Sequence, residues 1–112
     1  MAKEYIAAVD GVPPSPGGTI ELPIRKDLDD PPRQCVDHER GRPSTTHWFT
    51  VDASDRAALV RLVPITGRAH QLRLHLKEIG HPILGDDLYA PAESRKLVSR
   101  LMLHARTLSV VH

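Results

Sequence analysis

Cysteine, aromatic residues and long apolar runs are all scarce in this sequence. The single cysteine, Cys35, cannot form a disulfide within the chain, and no charged and then apolar leader follows Met1. Neither feature indicates export to an oxidising compartment, so we expect a cytoplasmic protein. One Trp, two Tyr and one Phe among 112 residues mean that the core must be mainly aliphatic.

The absence of several motifs narrows the classes of function. No apolar run approaches the roughly 20 residues that a membrane-spanning helix needs. The sequence contains no Gly-x-Gly-x-x-Gly or Gly-x-x-x-x-Gly-Lys loop for a nucleotide and no Gly-x-Ser-x-Gly frame for a serine nucleophile. His70 and His75 are five residues apart, which places them on different faces of a helix rather than in the i, i+4 arrangement of a zinc site. We therefore expect neither a metal nor another cofactor.

The net charge of +1 conceals an uneven distribution. Residues 1–55 carry six basic and ten acidic side chains, whereas residues 56–112 carry nine and four. Five basic residues lie in the acid-free stretch 56–77, namely Arg56, Arg61, Arg68, Arg73 and Lys77. Positive charge concentrated in this way attracts anionic partners such as nucleic acid, although many surface helices carry it only as a solvated face.

The pattern of apolar residues predicts an α+β domain with a mostly antiparallel sheet. Strands are expected at 3–9, 19–24, 45–51 and 58–63, with a last strand around Leu108 and Val110. We expect the first two strands to pair with each other, and the strands at 45–51 and 58–63 to be antiparallel neighbours. Residues 25–42 show no sustained period and are expected to form a long loop, which in so small a domain suggests contact with a partner.

The clearest helix follows Pro64. Ala69, Leu72, Leu76 and Ile79 recur at helical spacing, Gly80 is expected to end the helix, and Thr66 is a candidate cap. A second, shorter helix is expected at 91–98. At the junction between strand and helix, Gly67, Arg68 and Arg73 lie close together in the sequence. This arrangement is equally consistent with an anion-binding site and with an ordinary capped surface helix.

The segment 62–75, Leu-Val-Pro-Ile-Thr-Gly-Arg-Ala-His-Gln-Leu-Arg-Leu-His, resembles the RNA pseudouridine synthases of the RluA type. Ile-Gly-His-Pro-Ile-Leu-Gly-Asp at 79–86, Leu-Tyr-Ala at 88–90 and Leu-Met-Leu-His-Ala at 101–105 are similar to later segments of that family. Lys-Glu-Tyr-Ile-Ala at 3–7 and Ile-Glu-Leu-Pro-Ile at 20–24 resemble its strands. The resemblance covers nearly the whole chain, in order and with compatible spacing.

The resemblance implies a function and a fold. Members of this family isomerise uridine to pseudouridine in ribosomal or transfer RNA without a cofactor, on a mixed, mainly antiparallel sheet flanked by helices. A carboxylate attacks the flipped-out nucleotide, and the base detaches, rotates and rejoins the sugar through carbon. By this resemblance, residues 1–112 are a single partial domain, the C-terminal portion of a pseudouridine synthase catalytic domain, and structured RNA is the partner.

The resemblance also implies roles for particular residues. Arg73 matches the arginine that pairs with the catalytic aspartate, Leu72 the aliphatic residue beneath the target base, and Tyr5 the tyrosine that stacks on it. These roles are physically reasonable, because an arginine keeps a carboxylate ionised and a flipped-out base needs aromatic and apolar walls. Purely structural roles for the three are the alternative. The residues expected to contact RNA are Arg68, His70, Gln71 and Lys77.

One motif of the family has no counterpart in this sequence. The Gly-Arg-Leu-Asp-x-x-Thr-Ser-Gly segment carries the family's nucleophile, and the nearest approach, Arg-Lys-Asp-Leu at 25–28, lacks the Thr-Ser-Gly context. We therefore expect a truncated synthase domain without its nucleophilic aspartate, and whether it is itself an enzyme stays open. The alternatives are a non-catalytic RNA-binding remnant and a half-domain that self-associates through an exposed sheet edge.

Overall fold

The computed structural model describes residues 3–95 and 98–107. Within these residues the chain forms seven strands and two short helices. The strands are β1 (Lys3–Asp10), β2 (Gly17–Glu21), β3 (Ile24–Lys26), β4 (Gln34–Val36), β5 (Thr45–Ala53), β6 (Ala57–Pro64) and β7 (Leu103–Thr107), and the helices are α1 (Gln71–Glu78) and α2 (Ala92–Arg95).

Five of the strands form one antiparallel sheet in the order β2-β5-β6-β1-β7. The α+β class and the pairing of the strands at 45–51 and 58–63 are thereby confirmed. The expected pairing of the first two strands is wrong, because β2 pairs with β5 and β1 lies between β6 and β7. Three prolines at 13, 14 and 16 lack the N–H groups that a tight hairpin uses, and the chain crosses instead to the far edge of the sheet.

The strand expected at 19–24 is divided in two. After Pro23 the chain leaves the main sheet, and β3 pairs with β4 in a separate hairpin. A backbone bridge between Ile24 and Arg42 closes this hairpin with bonds of 2.8 and 2.9 Å. The expectation of a long loop at 25–42 is therefore wrong in part, because strands of three residues are too short to show a period.

The core lies between one face of the sheet and α1. Its buried side chains are mostly aliphatic, as expected: Ala7, Val9, Ile20, Ala58, Val60, Leu62, Leu72, Leu76 and Ile83, with Trp48. Alternation along each strand places the neighbouring residues on the other face of the sheet, where Phe49, Val51 and Leu59 remain exposed.

The main helix begins later than the apolar period suggests. His70 has a left-handed backbone conformation with φ 55° and immediately precedes the helix, so Ala69 lies outside it. Thr66 is not the cap, because its hydroxyl bonds instead to the side chain of Gln71. Gly80, with φ 88°, follows the last turn as expected.

The second predicted helix is observed over Ala92–Arg95, and residues 96–97 of the predicted range lie outside the described residues. The last strand predicted around Leu108 and Val110 also lies outside them, and the strand that the structure shows is β7. None of the helices in the described part of the chain is long and apolar enough to cross a membrane.

Candidate active site

A groove of about 490 Å³ opens where the end of β6 meets the start of α1, beside β1. Six of the predicted site residues line it: Tyr5, Arg68, His70, Gln71, Leu72 and Arg73. The rest of the lining consists of Lys3, Pro64, Thr66, Gly67 and Leu103. Three of the residues that line the groove are cationic, namely Lys3, Arg68 and Arg73, and none is acidic. The groove therefore suits a ligand that is negatively charged and partly apolar.

Two apolar walls of the groove come from segments distant in sequence. Tyr5 lies in β1 between Leu62 of β6 and Ala105 of β7, and its side chain packs against the core. Leu72, in the first turn of α1, is 7% exposed and belongs to the same core cluster. Packing therefore holds both walls in place, and their structural and ligand-binding roles are compatible.

Arg73 is fixed by a carboxylate from the loop after α1. Its Nε and Nη2 donate to the two oxygens of Asp86 at 3.0 and 2.6 Å, and Nη2 also donates to Asp87 at 3.1 Å. Asp86 is fully buried and accepts the backbone N–H groups of Leu88 and Tyr89 as well. Burial opposes ionisation of Asp86, yet the Arg73 hydrogen bonds and these backbone donors hold its pKa below the usual range.

Gln71 makes four hydrogen bonds inside the protein. Its Nε2 donates to the carbonyl of Thr45 and to Oγ1 of Thr46, both at 2.9 Å. Its Oε1 accepts from Thr66 Oγ1 at 2.7 Å and from the backbone N–H of Arg68 at 3.1 Å. Both amide donors and both oxygen acceptor positions are engaged. The geometry therefore favours a positioning role, in which Gln71 ties the loop before α1 to β5, over the predicted RNA contact.

His70 presents a neutral imidazole to the groove. Its Nδ1 lies 2.7 Å from the hydroxyl of Tyr89, whose oxygen also accepts the backbone N–H of Gln34 at 2.8 Å. Burial raises the pKa of Tyr89, so the hydroxyl is protonated at neutral pH. Because its oxygen already accepts the Gln34 N–H, we assign the O–H as the donor to Nδ1, which places the His70 proton on Nε2. Burial and the nearby Arg73 charge lower the pKa of His70. Its Nε2–H makes no hydrogen bond within the described residues and is left for a ligand.

His75 is fully buried and lies one turn after Gln71 and Leu72 in α1. Its Nε2 lies 2.9 Å from the carbonyl of Leu22 and its Nδ1 lies 2.8 Å from Oγ1 of Thr46. A carbonyl can only accept, so the proton is on Nε2 and Nδ1 accepts the threonine hydroxyl. Burial lowers the pKa of His75. This histidine anchors α1 to β5 and to the segment that follows β2.

Lys77 lies apart from the other predicted site residues. Its ammonium pairs with Glu78 at 2.8 Å, and its side chain lines a separate cavity together with Arg33 and Tyr89. The structure therefore does not bring it into the groove, and its predicted contact with RNA would belong to a different surface.

Two residues of the site were missed by sequence reasoning although they lie in the recognised segments. Asp86 could have been found from the need of a part-buried arginine for a carboxylate partner, but several aspartates compete for that assignment. Tyr89 carries no such signal, because its link to His70 depends on how the loop after α1 folds back.

The fold of this chain is similar to that of solved structures from a known enzyme family. Residues 1–78 match the family model described as RNA pseudouridylate synthase. The chain belongs to this family of pseudouridine synthases.

Curated relatives and solved structures agree with this assignment. The chain is 46% identical over 111 residues to the dual-specificity RNA pseudouridine synthase RluA of Escherichia coli strain K12, covering 98% of this chain and 51% of that protein. It is 46% identical over 110 residues to the Vibrio cholerae RluA, covering 98% and 45%. The structure of human RNA pseudouridylate synthase domain containing 1 superimposes with a TM-score of 0.83 at 32% identity, covering 93% of this chain and 47% of that one. The chain thus spans about half the length of the curated relatives that it matches.

Proposed function

We propose that this chain is the C-terminal portion of the catalytic domain of an RNA pseudouridine synthase and that its groove holds the uridine to be isomerised in ribosomal or transfer RNA. The observation that supports this most is the meeting of Tyr5 with Leu72 and Arg73. These residues come from β1 and from α1, and they line one groove.

The groove has the parts that a flipped-out uridine requires. The Tyr5 ring and the Leu72 side chain provide the aromatic and apolar walls for the base. The free Nε2–H of His70 can donate to an oxygen of the base, and the cations of Lys3 and Arg68 can bind the phosphates of the same nucleotide.

Arg73 is suited to orient the attacking carboxylate. Asp86 and Asp87 occupy Nε and Nη2, while Nη1 makes no hydrogen bond within the described residues. Asp86 is not itself the nucleophile, because it is fully buried and both its oxygens are engaged. In our proposal the nucleophilic aspartate therefore comes from a segment outside these 112 residues, which agrees with the greater length of the relatives.

Nucleotide binding tests the base site. Titration of the chain with uridine 5′-monophosphate, followed by NMR, should perturb the signals of Tyr5 and the Leu72 methyl groups. Tyr5→Ala should weaken this binding about tenfold, in line with the loss of one base–aromatic stack. The matched control is Phe49→Ala, because Phe49 is an exposed aromatic on the opposite face of the sheet. Unchanged binding by Tyr5→Ala would contradict the proposal.

Turnover tests the catalytic part. We expect no pseudouridine from the chain alone when it is incubated with ribosomal and transfer RNA, and turnover when it is fused to the portion of the Escherichia coli relative that it does not cover. Robust turnover by the chain alone would show that the nucleophile lies within it. Binding that never leads to turnover in the fusion would instead favour the non-catalytic RNA-binding remnant.

The localisation of the protein and its self-association stay predictions. Cytoplasmic localisation rests on the composition of the sequence. Self-association through a sheet edge would involve β2 or β7, which end the main sheet within the described residues. A light-scattering series over concentration tests the second, and a chain that stays monomeric throughout contradicts it.

A further inference from the structure

A second groove lies beside the candidate active site, and we name it the hairpin groove. Its volume is about 450 Å³, and it shares Gly67 and Arg68 with the active-site groove. Five of its lining residues are basic and none is acidic: Arg25, Lys26, Arg40, Arg42 and Arg68. Four of the five belong to the half of the sequence with an excess of acid, so counting charges along the chain conceals this concentration.

Most of these cations have no acidic partner. The side chains of Lys26, Arg40 and Arg42 form no ion pair or hydrogen bond within the described residues, although Asp27 and Glu39 lie close to them in sequence. Neither acid lines the hairpin groove. Arg68 donates through Nε and Nη2 to the carbonyl of Pro43 at 3.2 and 3.1 Å, so its position is fixed while Nη1 stays available.

The basic residues are carried by an ordered platform. Asp37 accepts Arg25 Nε at 2.6 Å through one oxygen and the backbone N–H groups of Glu39 and Arg40 through the other. The Arg25 hydrogen bond and these backbone donors lower the pKa of Asp37 to about 2, so it stays ionised at neutral pH. A Cβ at Gly41 would lie 2.5 Å from the Asp37 carbonyl oxygen, which shows how closely the turn is packed. Cations that are already in place bind an anion with less loss of side-chain entropy.

We propose that the hairpin groove binds the phosphodiester backbone of the RNA strand that flanks the nucleotide held in the active-site groove. This inference rests on the proposed function, because it takes the position of that nucleotide as its starting point. Gly67 lines both grooves, and a Cβ placed on it would meet nothing within 4 Å. The passage between the grooves is therefore open at this point. Unpaired lysine and arginine side chains neutralise phosphates and release their counterions.

Salt-dependent RNA binding tests this inference. The full chain is titrated with a fluorescent RNA stem-loop that has uridines in its loop, at salt concentrations from 50 to 200 mM. The double variant Arg40→Gln/Arg42→Gln should weaken binding about tenfold at 0.1 M salt and should reduce the slope of log Kd against log salt by about 2, one unit for each lost phosphate contact. Because these two side chains contact no partner among the residues that the structure describes, the variant should fold like the parent, which thermal unfolding checks.

A second double variant, Arg56→Gln/Arg100→Gln, is the matched control. Both arginines are exposed and neither lines a groove, so the same loss of charge should leave the slope nearly unchanged. Equal losses in the two double variants would show a general field rather than a site and would overturn the inference. An unchanged slope of log Kd against log salt in Arg40→Gln/Arg42→Gln would also overturn the inference.

Two more measurements separate this inference from its alternatives. Uridine 5′-monophosphate has no flanking phosphodiester for Arg40 and Arg42 to bind, so Arg40→Gln/Arg42→Gln should bind it like the parent, whereas Tyr5→Ala should bind it more weakly. Normal nucleotide binding by Tyr5→Ala would contradict the proposed function. A normal salt slope in Arg40→Gln/Arg42→Gln would contradict only the inference that the hairpin groove binds the RNA backbone. Polyglutamate and unlabelled RNA of equal charge are then compared as competitors for the labelled RNA on the parent. If polyglutamate is equally effective, the groove binds an acidic protein and the inference fails.

Discussion

Arg73 and Asp86 form a two-point ion pair in which the carboxylate is fully buried and the arginine side chain is 17% exposed. The same carboxylate accepts the backbone N–H groups of the turn that follows it. One buried aspartate thus fixes both the loop after α1 and the arginine of the groove, and it leaves Nη1 of that arginine for a second anion. The stability of the domain and the geometry of the site depend on the same contact.

Arg73→Gln should strongly destabilise the fold, because it leaves the Asp86 charge buried without its partner. Removal of one member of a buried pair typically costs about 3–5 kcal/mol. Arg73→Lys keeps the charge but loses the two-point geometry, and we expect a smaller loss. Urea unfolding followed by the fluorescence of Trp48 measures both.

The matched control for this prediction is Asp87→Asn. The side chain of Asp87 is 82% exposed, and exposed ion pairs contribute about 0–1 kcal/mol. A loss in Arg73→Gln no larger than that in Asp87→Asn would show that the buried pair does not stabilise this fold.

The stability of the domain should fall as the pH drops below about 6.5, the ordinary pKa of histidine. Burial lowers the pKa of His75 in the folded state, so below pH 6.5 the unfolded chain binds more protons and unfolding becomes easier. His70, whose pKa is lowered as well, contributes with the same sign. The free energy of unfolding measured between pH 7.5 and 5.5 follows this change.

Substitution of His75 assigns the pH effect to that residue. In His75→Gln, the amide can accept from Thr46 and donate to the carbonyl of Leu22 but does not titrate. We expect a smaller pH dependence than in the parent, with the remainder due to His70. A pH dependence equal to that of the parent would show that His75 is not responsible.

Three glycines should respond differently to alanine. Gly85 has φ 79°, and a Cβ there would lie 1.9 Å from the Arg100 carbonyl oxygen, so Gly85→Ala combines strain with a backbone clash. Gly80 has φ 88° with open space around it, and Gly80→Ala should cost about 1–2 kcal/mol from the left-handed conformation alone. Gly67 has neither constraint, so Gly67→Ala should be nearly neutral. Melting temperatures that do not follow this order would contradict the prediction.

The sequence predicted the parts of the fold that depend on long periodic segments. The strands that became β1, β5 and β6 and the helix that became α1 have enough residues for a period to show. Prediction from the sequence failed for β3 and β4, which are only three residues long each. It also failed for the pairing partner of β2, which depends on how the prolines before β2 direct the chain. Non-local pairing of this kind is not encoded in any single segment.

The site was predictable to the extent that it follows a motif. Tyr5, Leu72 and Arg73 were named from the sequence and line one groove. The roles of Gln71 and His75 could not be read in this way, because the same polar residue serves a ligand or the interior according to what faces it. Only the packing of α1 against β5 decides that both are engaged within the protein.

Tyr89→Phe should loosen the connection between the hairpin and the start of α1. The Tyr89 hydroxyl accepts the Gln34 N–H and donates to Nδ1 of His70, so its loss leaves both groups without a partner. We expect a destabilisation of about 1–3 kcal/mol and faster hydrogen exchange at the Gln34 amide. Without a donor at Nδ1, part of the His70 population should also move its proton from Nε2 to Nδ1, which ¹⁵N NMR of the imidazole detects. In the matched variant Tyr5→Phe neither signal should change, because the Tyr5 hydroxyl makes no hydrogen bond within the described residues. An unchanged His70 tautomer in Tyr89→Phe would show that Tyr89 does not set the proton that His70 presents to the groove.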